Sequence, residues 1–207
     1  MMRSIFICAA VLLAITSATL TRPKFNGSDL TGANFTSSAI TEFTAPGATL
    51  DNANFSNTNT GLKGANLNGA SMAGANVSRL DMSEAKISDA SLTGANFKDS
   101  NLTSVDAQRS DLSETDFRDA NLTRARFDSS DFTNSNMKSS VLTQTGLYKA
   151  NLAGADVSYS EFDRTNIQEA NLTGANLTGS VFTDVNGIHI NMDGSDLTGI
   201  VLLQSRF

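Results

Sequence analysis

The chain of 207 residues is poor in the residues that build compact chemistry. It has one Cys, one His, two Tyr, two Pro and no Trp. A single Cys excludes a disulfide framework and any Cys-built zinc site. A single His, His189, excludes a His pair that could bind zinc or divide the roles of base and shuttle. Basic residues are also scarce, 15 against 21 acids for a net charge of -6, so the stripe of cations that a phosphate-backbone binder needs is missing. Charged residues make up only 17% and apolar residues 40%, which is too few charges and too much apolar surface for a disordered acidic chain. No apolar run is long enough for a bilayer, which takes roughly 20 residues of helix.

The longest apolar run, Ile5 to Ile15, follows Arg3 and precedes the small residues Thr16, Ser17 and Ala18. Positive start, apolar middle and small cleavage site read as a secretory signal peptide over 1–18, cut after Ala18. Cys8 lies inside that run and away from the cleavage point, unlike the lipid-bearing Cys of a lipoprotein signal. The mature chain would carry no Cys, which suits any redox compartment. Export to a periplasm, a thylakoid lumen or the extracellular space is the expectation, with no stable membrane insertion after cleavage.

The rest of the chain repeats every five residues. From Leu62 a large apolar residue returns through Leu67, Met72, Val77 and Met82 to Leu177 and Phe182, with Ala107 and Gly187 as breaks. Met192, Leu197, Leu202 and Phe207 complete the series. Two residues before most of these centres stands Ala, Ser or Thr; Leu80, Val105, Val185, Ile190 and Ile200 are exceptions. Upstream, Phe25, Leu30, Phe35, Ile40, Leu50 and Phe55 keep the same period in a register displaced by two, and the slip falls within Ser56 to Gly61. Ala45 replaces a large centre just before Pro46-Gly47, a turn signal. A period of five fits neither a helix nor an ordinary strand. It fits a solenoid in which every quintet is one side of a coil, with the centre and the small residue pointing inward and Gly, Asn or Asp at the corners.

Units such as Gly32-Ala33-Asn34-Phe35-Thr36 and Gly94-Ala95-Asn96-Phe97-Lys98 resemble the pentapeptide repeat family over nearly all of residues 25–207. The resemblance implies an all-β fold, a right-handed quadrilateral parallel β-helix with four quintets per coil. Roughly nine coils at the ~4.8 Å spacing of stacked strands would make a rod on the order of 45 Å long. Residues 19–24 read as a short N-terminal lead, and irregular geometry is expected near 43–61 and 185–191.

Function must then lie on the surface, and residues 20 apart should stack there. Lys98, Arg118 and Lys138 form one such column, either an anion-docking patch or a face neutralised by Asp99, Asp116 and Asp119. Ser83, Thr103, Thr123, Thr143, Asp163 and Thr183 form another, which could order water as ice-binding solenoids of other families do; Thr is equally the favoured residue of any β-surface. Asn26, Asn34, Asn54, Asn76, Asn101, Asn121, Asn171 and Asn176 begin glycosylation triplets, which the repeat also generates by itself. Asp106, Asp111, Glu114, Asp116, Asp119, Asp128 and Asp131 crowd the middle. Cytoplasmic members of the family mimic duplex DNA with such acids and inhibit type II topoisomerases, which is the alternative function if the leader is not used.

The carboxylates sit on a convex surface with no implied cleft, and the glycines follow the repeat and make no phosphate loop. No catalytic, cofactor or metal residues are assigned, no cofactor is expected, and the chain reads as non-enzymatic, without direct nucleic-acid binding. The apolar terminus from Ile200 through Leu203 to Phe207 suggests an end-to-end homodimer through the C-terminal coil. The expected role is an exported structural or interaction module for a protein partner that the sequence does not name.

Overall fold

The computed structural model describes residues 16, 18–58 and 61–207. The leader predicted over 1–18 falls outside these, apart from Thr16 and Ala18. Among the described residues no helix is long and apolar enough to cross a membrane.

Each quintet forms one wall segment of a square coil, and the chain returns to the same wall every 20 residues. Parallel bridges record this step throughout: Asn96 to Asp116, Asp116 to Asn136, Asn136 to Asp156 and Asp156 to Asn176. The first wall carries Leu20, Ile40, Leu62 and Met82 through to Leu202; the second carries Phe25, Ala45 and Leu67 through to Phe207. The third runs from Leu30 to Met192 and the fourth from Phe35 to Leu197. Only the first wall flattens into strands, β1 (Thr19–Thr21), β2 (Ala39–Thr41), β3 (Glu161–Asp163), β4 (Val181–Thr183) and β5 (Val201–Leu203). They pair in parallel, β1 with β2 and β3-β4-β5 in order. Residues 19–24 are therefore no separate lead. Thr19 pairs with Ala39 and Lys24 with Thr44, so they open the first coil.

The backbone explains the repeat position by position. The carbonyl of many large centres accepts the N–H three residues on, as Leu62 O does from Ala65 N at 3.0 Å. The residue before the centre is Asn or Asp because its Oδ1 caps the N–H two residues on, as in Asn34 to Thr36 at 3.0 Å and Asn101 to Thr103 at 3.1 Å. Thr or Ser after the centre adds its hydroxyl to the same Oδ1, at 2.6 Å for Thr103. The corner follows with positive φ, the geometry a type II turn requires at its third residue. Corners were expected to be Gly, Asn or Asp, yet Arg79, Glu84, Arg124, Lys149, Tyr159 and His189 all stand at φ between 57 and 63°. Each such corner costs about 1–2 kcal/mol. The coil offsets it by bonding the corner N–H to the next coil, as Arg124 N does to Thr143 O at 2.8 Å.

The interior is one continuous core from Phe25 to Val185. Burial of each large centre contributes about 1.5–3 kcal/mol. Phenylalanines one coil apart stack face to face: Phe35 on Phe55 at 4.5 Å, Phe97 on Phe117 at 5.0 Å and Phe162 on Phe182 at 4.4 Å. Where the small residue is Ser or Thr, its hydroxyl is in most cases satisfied inside the rod by a centre carbonyl of the preceding coil, although Ser135 Oγ has no partner. Ser110 donates to Ile87 O and Ser130 to Ala107 O, both at 2.7 Å.

The breaks in the repeat resolve as exchanges of size. Phe43 stands two before Ala45, Val105 before Ala107 and Val185 before Gly187. In each quintet the large residue has moved to the small position, and all but Gly187 are core residues. Gly187 leaves room for its neighbour one coil on, since a Cβ there would lie 2.6 Å from Phe207 Cδ1. The register slip also lies where the spacing placed it. Thr44 bridges Asn66, Thr49 bridges Ser71 and Asn54 bridges Asn76, a step of 22 that absorbs two extra residues within one coil.

Candidate interaction surfaces

On the fourth wall Lys98, Arg118 and Lys138 do stack in one column, and its middle cation is ion-paired where it stands. Arg118 forms a two-pronged pair with Asp116, Nε to Oδ1 at 2.9 Å and Nη2 to Oδ2 at 2.6 Å. Burial pushes the Asp116 carboxyl up, but hydrogen bonds from the Arg118 side chain and backbone outweigh it and hold the group below its ordinary value. Lys138 Nζ lies 5.4 Å from the centroid of the Tyr159 ring, within cation–π range. Tyr159 itself is a feature that sequence reasoning passed over. It is 57% exposed on a positive-φ corner, and its ring lies over Gly179, where a Cβ would approach within 2.8 Å. An aromatic at an outward position of the quintet was the available signal.

Of the acids that crowd the middle, Asp106 is paired across adjacent coils, as are Asp89 and Asp99 beside that group. Arg109 meets Asp89 at 2.7 Å, Arg126 meets Asp106 at 3.3 Å and Arg79 meets Asp99 at 3.5 Å. Asp111 accepts from Ser113 and Thr93, Asp131 from Thr133 and Asn151, and Asp128 caps Tyr148 N–H. The ion pairs lie on the exposed surface, and each sets one acid against one cation. No group of three or more metal-ligating side chains occurs among the described residues. A dent between β3 and β4, lined by Glu161, Phe162, Asp163, Val181 and Thr183, measures about 130 Å³, below the several hundred Å³ of a small-molecule site.

The C-terminal coil differs from every wall. Leu197 is 42% exposed, Leu202 and Leu203 51% and Phe207 46%. The two residues singled out there play different parts. Leu203 points outward from β5, whereas Phe207 is an inner residue of the second wall, 6.1 Å from Phe182 and open on its far side. In earlier coils the N–H of each centre donates one coil on, as Leu172 N does to Asn191 O at 2.6 Å and Leu177 N to Asp196 O at 2.8 Å.

A family model described as pentapeptide repeats (8 copies) matches residues 16–42, 62–99, 100–138, 147–184 and 160–199, more than half of the chain. The chain belongs to the pentapeptide repeat family. Its fold is accordingly the right-handed quadrilateral β-helix. Among solved structures, trypsin-treated QnrB1, a plasmid-mediated fluoroquinolone resistance protein, is 20% identical with a TM-score of 0.52, over 92% of this chain and 89% of that one. HetL, a pentapeptide repeat protein involved in heterocyst differentiation regulation in the cyanobacterium Nostoc sp. strain PCC 7120, is 22% identical with a TM-score of 0.38, over 92% and 87%. A pentapeptide repeat protein from the Arabidopsis thaliana thylakoid lumen is 27% identical with a TM-score of 0.31, over 60% and 69%. No curated protein matches the chain.

In this pentapeptide repeat rod most of the triplet asparagines have a structural task. Asn34, Asn54, Asn76, Asn101, Asn121, Asn171 and Asn176 each cap the N–H two residues on, whereas Asn26 follows its centre and lies outside that pattern. The threonine column is similarly engaged in part, with Thr103 donating to Asn101, and Asp163, paired to Arg164 at 2.7 Å, interrupts it.

Proposed function

We propose that the chain is an exported, non-enzymatic interaction module whose contact surface is its C-terminal coil. The observation that carries this is that the C-terminal coil exposes Leu197, Leu202, Leu203 and Phe207 together, whereas the centres from Phe25 to Phe182 are buried. Apolar side chains beside an unpaired parallel edge are a template for another polypeptide. The partner is a protein and not a nucleic acid, and one partner such an edge accepts is a second copy, giving end-to-end association through this coil. The leader over 1–18 supports export, and cleavage after Ala18 would leave a rod with no membrane anchor.

The test is an intact-mass and N-terminal measurement on the native protein, fraction by fraction. The expected form starts at Thr19 and lies outside the cytosol; an uncleaved cytosolic form overturns the export reading. Leu203→Asp should weaken end-to-end association while leaving the β circular-dichroism signal in place. Inhibition of a type II topoisomerase by DNA mimicry is the competing function. The fold shared with QnrB1 keeps it worth testing, the pairing of Asp106 and Asp116 with arginines speaks against it, and a supercoiling assay with the purified chain decides it.

A further inference from the structure

An asparagine loses its side-chain amide most readily before glycine, which sets no Cβ against the attacking nitrogen. The chain has three such pairs, beginning at Asn26, Asn68 and Asn186. We infer that Asn26 is the deamidation site of the folded rod, because Pro46 one coil on withholds a clamp that its counterpart gives to Asn68.

The clamp is a recurring contact between coils. At Asp51, Asn68 and Asp128, each directly after its centre, Oδ1 accepts a backbone N–H from the next coil, that of Ala73, Ser88 and Tyr148, at 3.0 Å in each case. Ser88 thereby holds both reacting groups of the Asn68-Gly69 pair. Its N–H fixes the Asn68 amide oxygen, and its carbonyl accepts Gly69 N–H at 2.9 Å. Pro46 stands to Asn26 as Ser88 stands to Asn68, twenty residues on. Its carbonyl accepts Gly27 N–H at 3.0 Å, but proline has no N–H to give the side chain. Asn26 is exposed and its side chain makes no hydrogen bond among the described residues. Its Cγ is free to turn toward Gly27 N. Asn186 is held in another way, with Nδ2 donating to Gln168 Oε1 at 3.4 Å and Oδ1 buried.

The reaction needs only water. Gly27 N attacks Asn26 Cγ and forms the new C–N bond; the bond from Cγ to Nδ2 breaks, and the amide proton leaves with the ammonia. Water then opens the cyclic imide at either carbonyl, giving aspartate or isoaspartate. Either product sets a carboxylate at a neutral corner of the second wall. Isoaspartate also lengthens the main chain by a carbon just before Gly27, which pulls against the bond to Pro46 O.

The test incubates the purified full chain at neutral pH and follows each Asn-Gly peptide by mass as amide becomes acid. Asn26 should convert first, with Asn68 about fivefold slower for the one extra hydrogen bond it must break. In urea the two rates should converge. Pro46→Ala supplies the missing N–H and should slow Asn26 about fivefold, while Ser88→Pro removes one and should speed Asn68 by the same factor. Circular dichroism confirms that both variants are folded, and the comparison of Asn26 with Asn68 inside the unaltered chain needs neither of them. Equal rates at the two sites in the folded chain, or a faster Asn68, overturn the inference. So does an Asn26 that stays intact for as long as the unfolded chain takes to convert, or an Asn26 rate that folded Pro46→Ala leaves unchanged. A difference that persists in urea overturns it as well, because it would then belong to the flanking residues and not to the coil.

Discussion

Gly61 and Gly94 share one backbone conformation and differ in what surrounds it, so one substitution at each separates strain from steric conflict. Their φ angles are +65° and +66°. A Cβ at Gly94 would meet nothing within 4 Å, whereas at Gly61 it would lie 2.5 Å from the Asp81 carbonyl oxygen and 3.1 Å from its nitrogen. Gly94→Ala should therefore cost only the left-handed penalty of about 1–2 kcal/mol. Gly61→Ala adds overpacking of about 1–3 kcal/mol against backbone that cannot rotate away. It also disturbs the Leu62 N–H bond to that same carbonyl, 2.8 Å long and worth about 1 kcal/mol. The loss at Gly61 should come to about 3–6 kcal/mol, at least ~2 kcal/mol more than at Gly94. Urea unfolding measures both, read as a shift of midpoint at constant slope. Equal losses at the two sites would refute the reasoning, since only at Gly61 would the Cβ meet the next coil's backbone.

Ser130→Ala should cost about 1 kcal/mol, because Ser130 Oγ donates inside the rod to Ala107 O. Ser135→Ala should be neutral or stabilising, because Ser135 Oγ is buried without a partner; thermal unfolding of the pair checks both signs. Phe117→Ala removes a buried ring stacked on Phe97 and should cost about 3–5 kcal/mol in urea unfolding. Acid should destabilise the rod. The Asp111 carboxyl is raised by burial, yet hydrogen bonds from Ser113 and Thr93 hold it below its ordinary value, and Asp116 behaves alike. A carboxyl lowered in the folded state stabilises above the unfolded value of 3.8 and loses that contribution as pH falls through its folded value. Stability should therefore be flat near neutrality and decline below about pH 4, followed by urea midpoints across that range.

Much of this architecture is legible in the sequence because a quintet is short and each of its positions has one task. Large and small residues recur at fixed spacing since both face a narrow interior, and the slip between Phe55 and Leu62 shows as a change of phase before any coordinate is known. What the pattern conceals is exchange between neighbours. Ala45, Ala107 and Gly187 look like defects when only the centre is read, and they become ordinary once Phe43, Val105 and Val185 are seen to occupy the other inner position. Corner residues such as Arg124 and Lys149 are illegible for another reason. Backbone bonds to the adjacent coil hold the left-handed turn there, so side-chain preference no longer reports it. The column of Lys98, Arg118 and Lys138 could be located by counting in twenties, but the pairing of Arg118 with Asp116 depends on rotamers, and Tyr159 beside Lys138 stands one position off that column in the next coil.

The coil that takes 22 residues where its neighbours take 20 shows how such a wall can change length. Two residues added at a bend leave every downstream side chain on the side it already occupied, since Thr44 still bridges Asn66 and Asn54 still bridges Asn76. One added quintet would instead give everything beyond it a quarter turn about the long axis, carrying each charge to a new compass bearing while leaving the interior well packed. Only a gain or loss of four quintets lengthens the molecule and keeps its bearings. Duplication in twenties is therefore a silent change for this architecture, and duplication in fives is a reorientation.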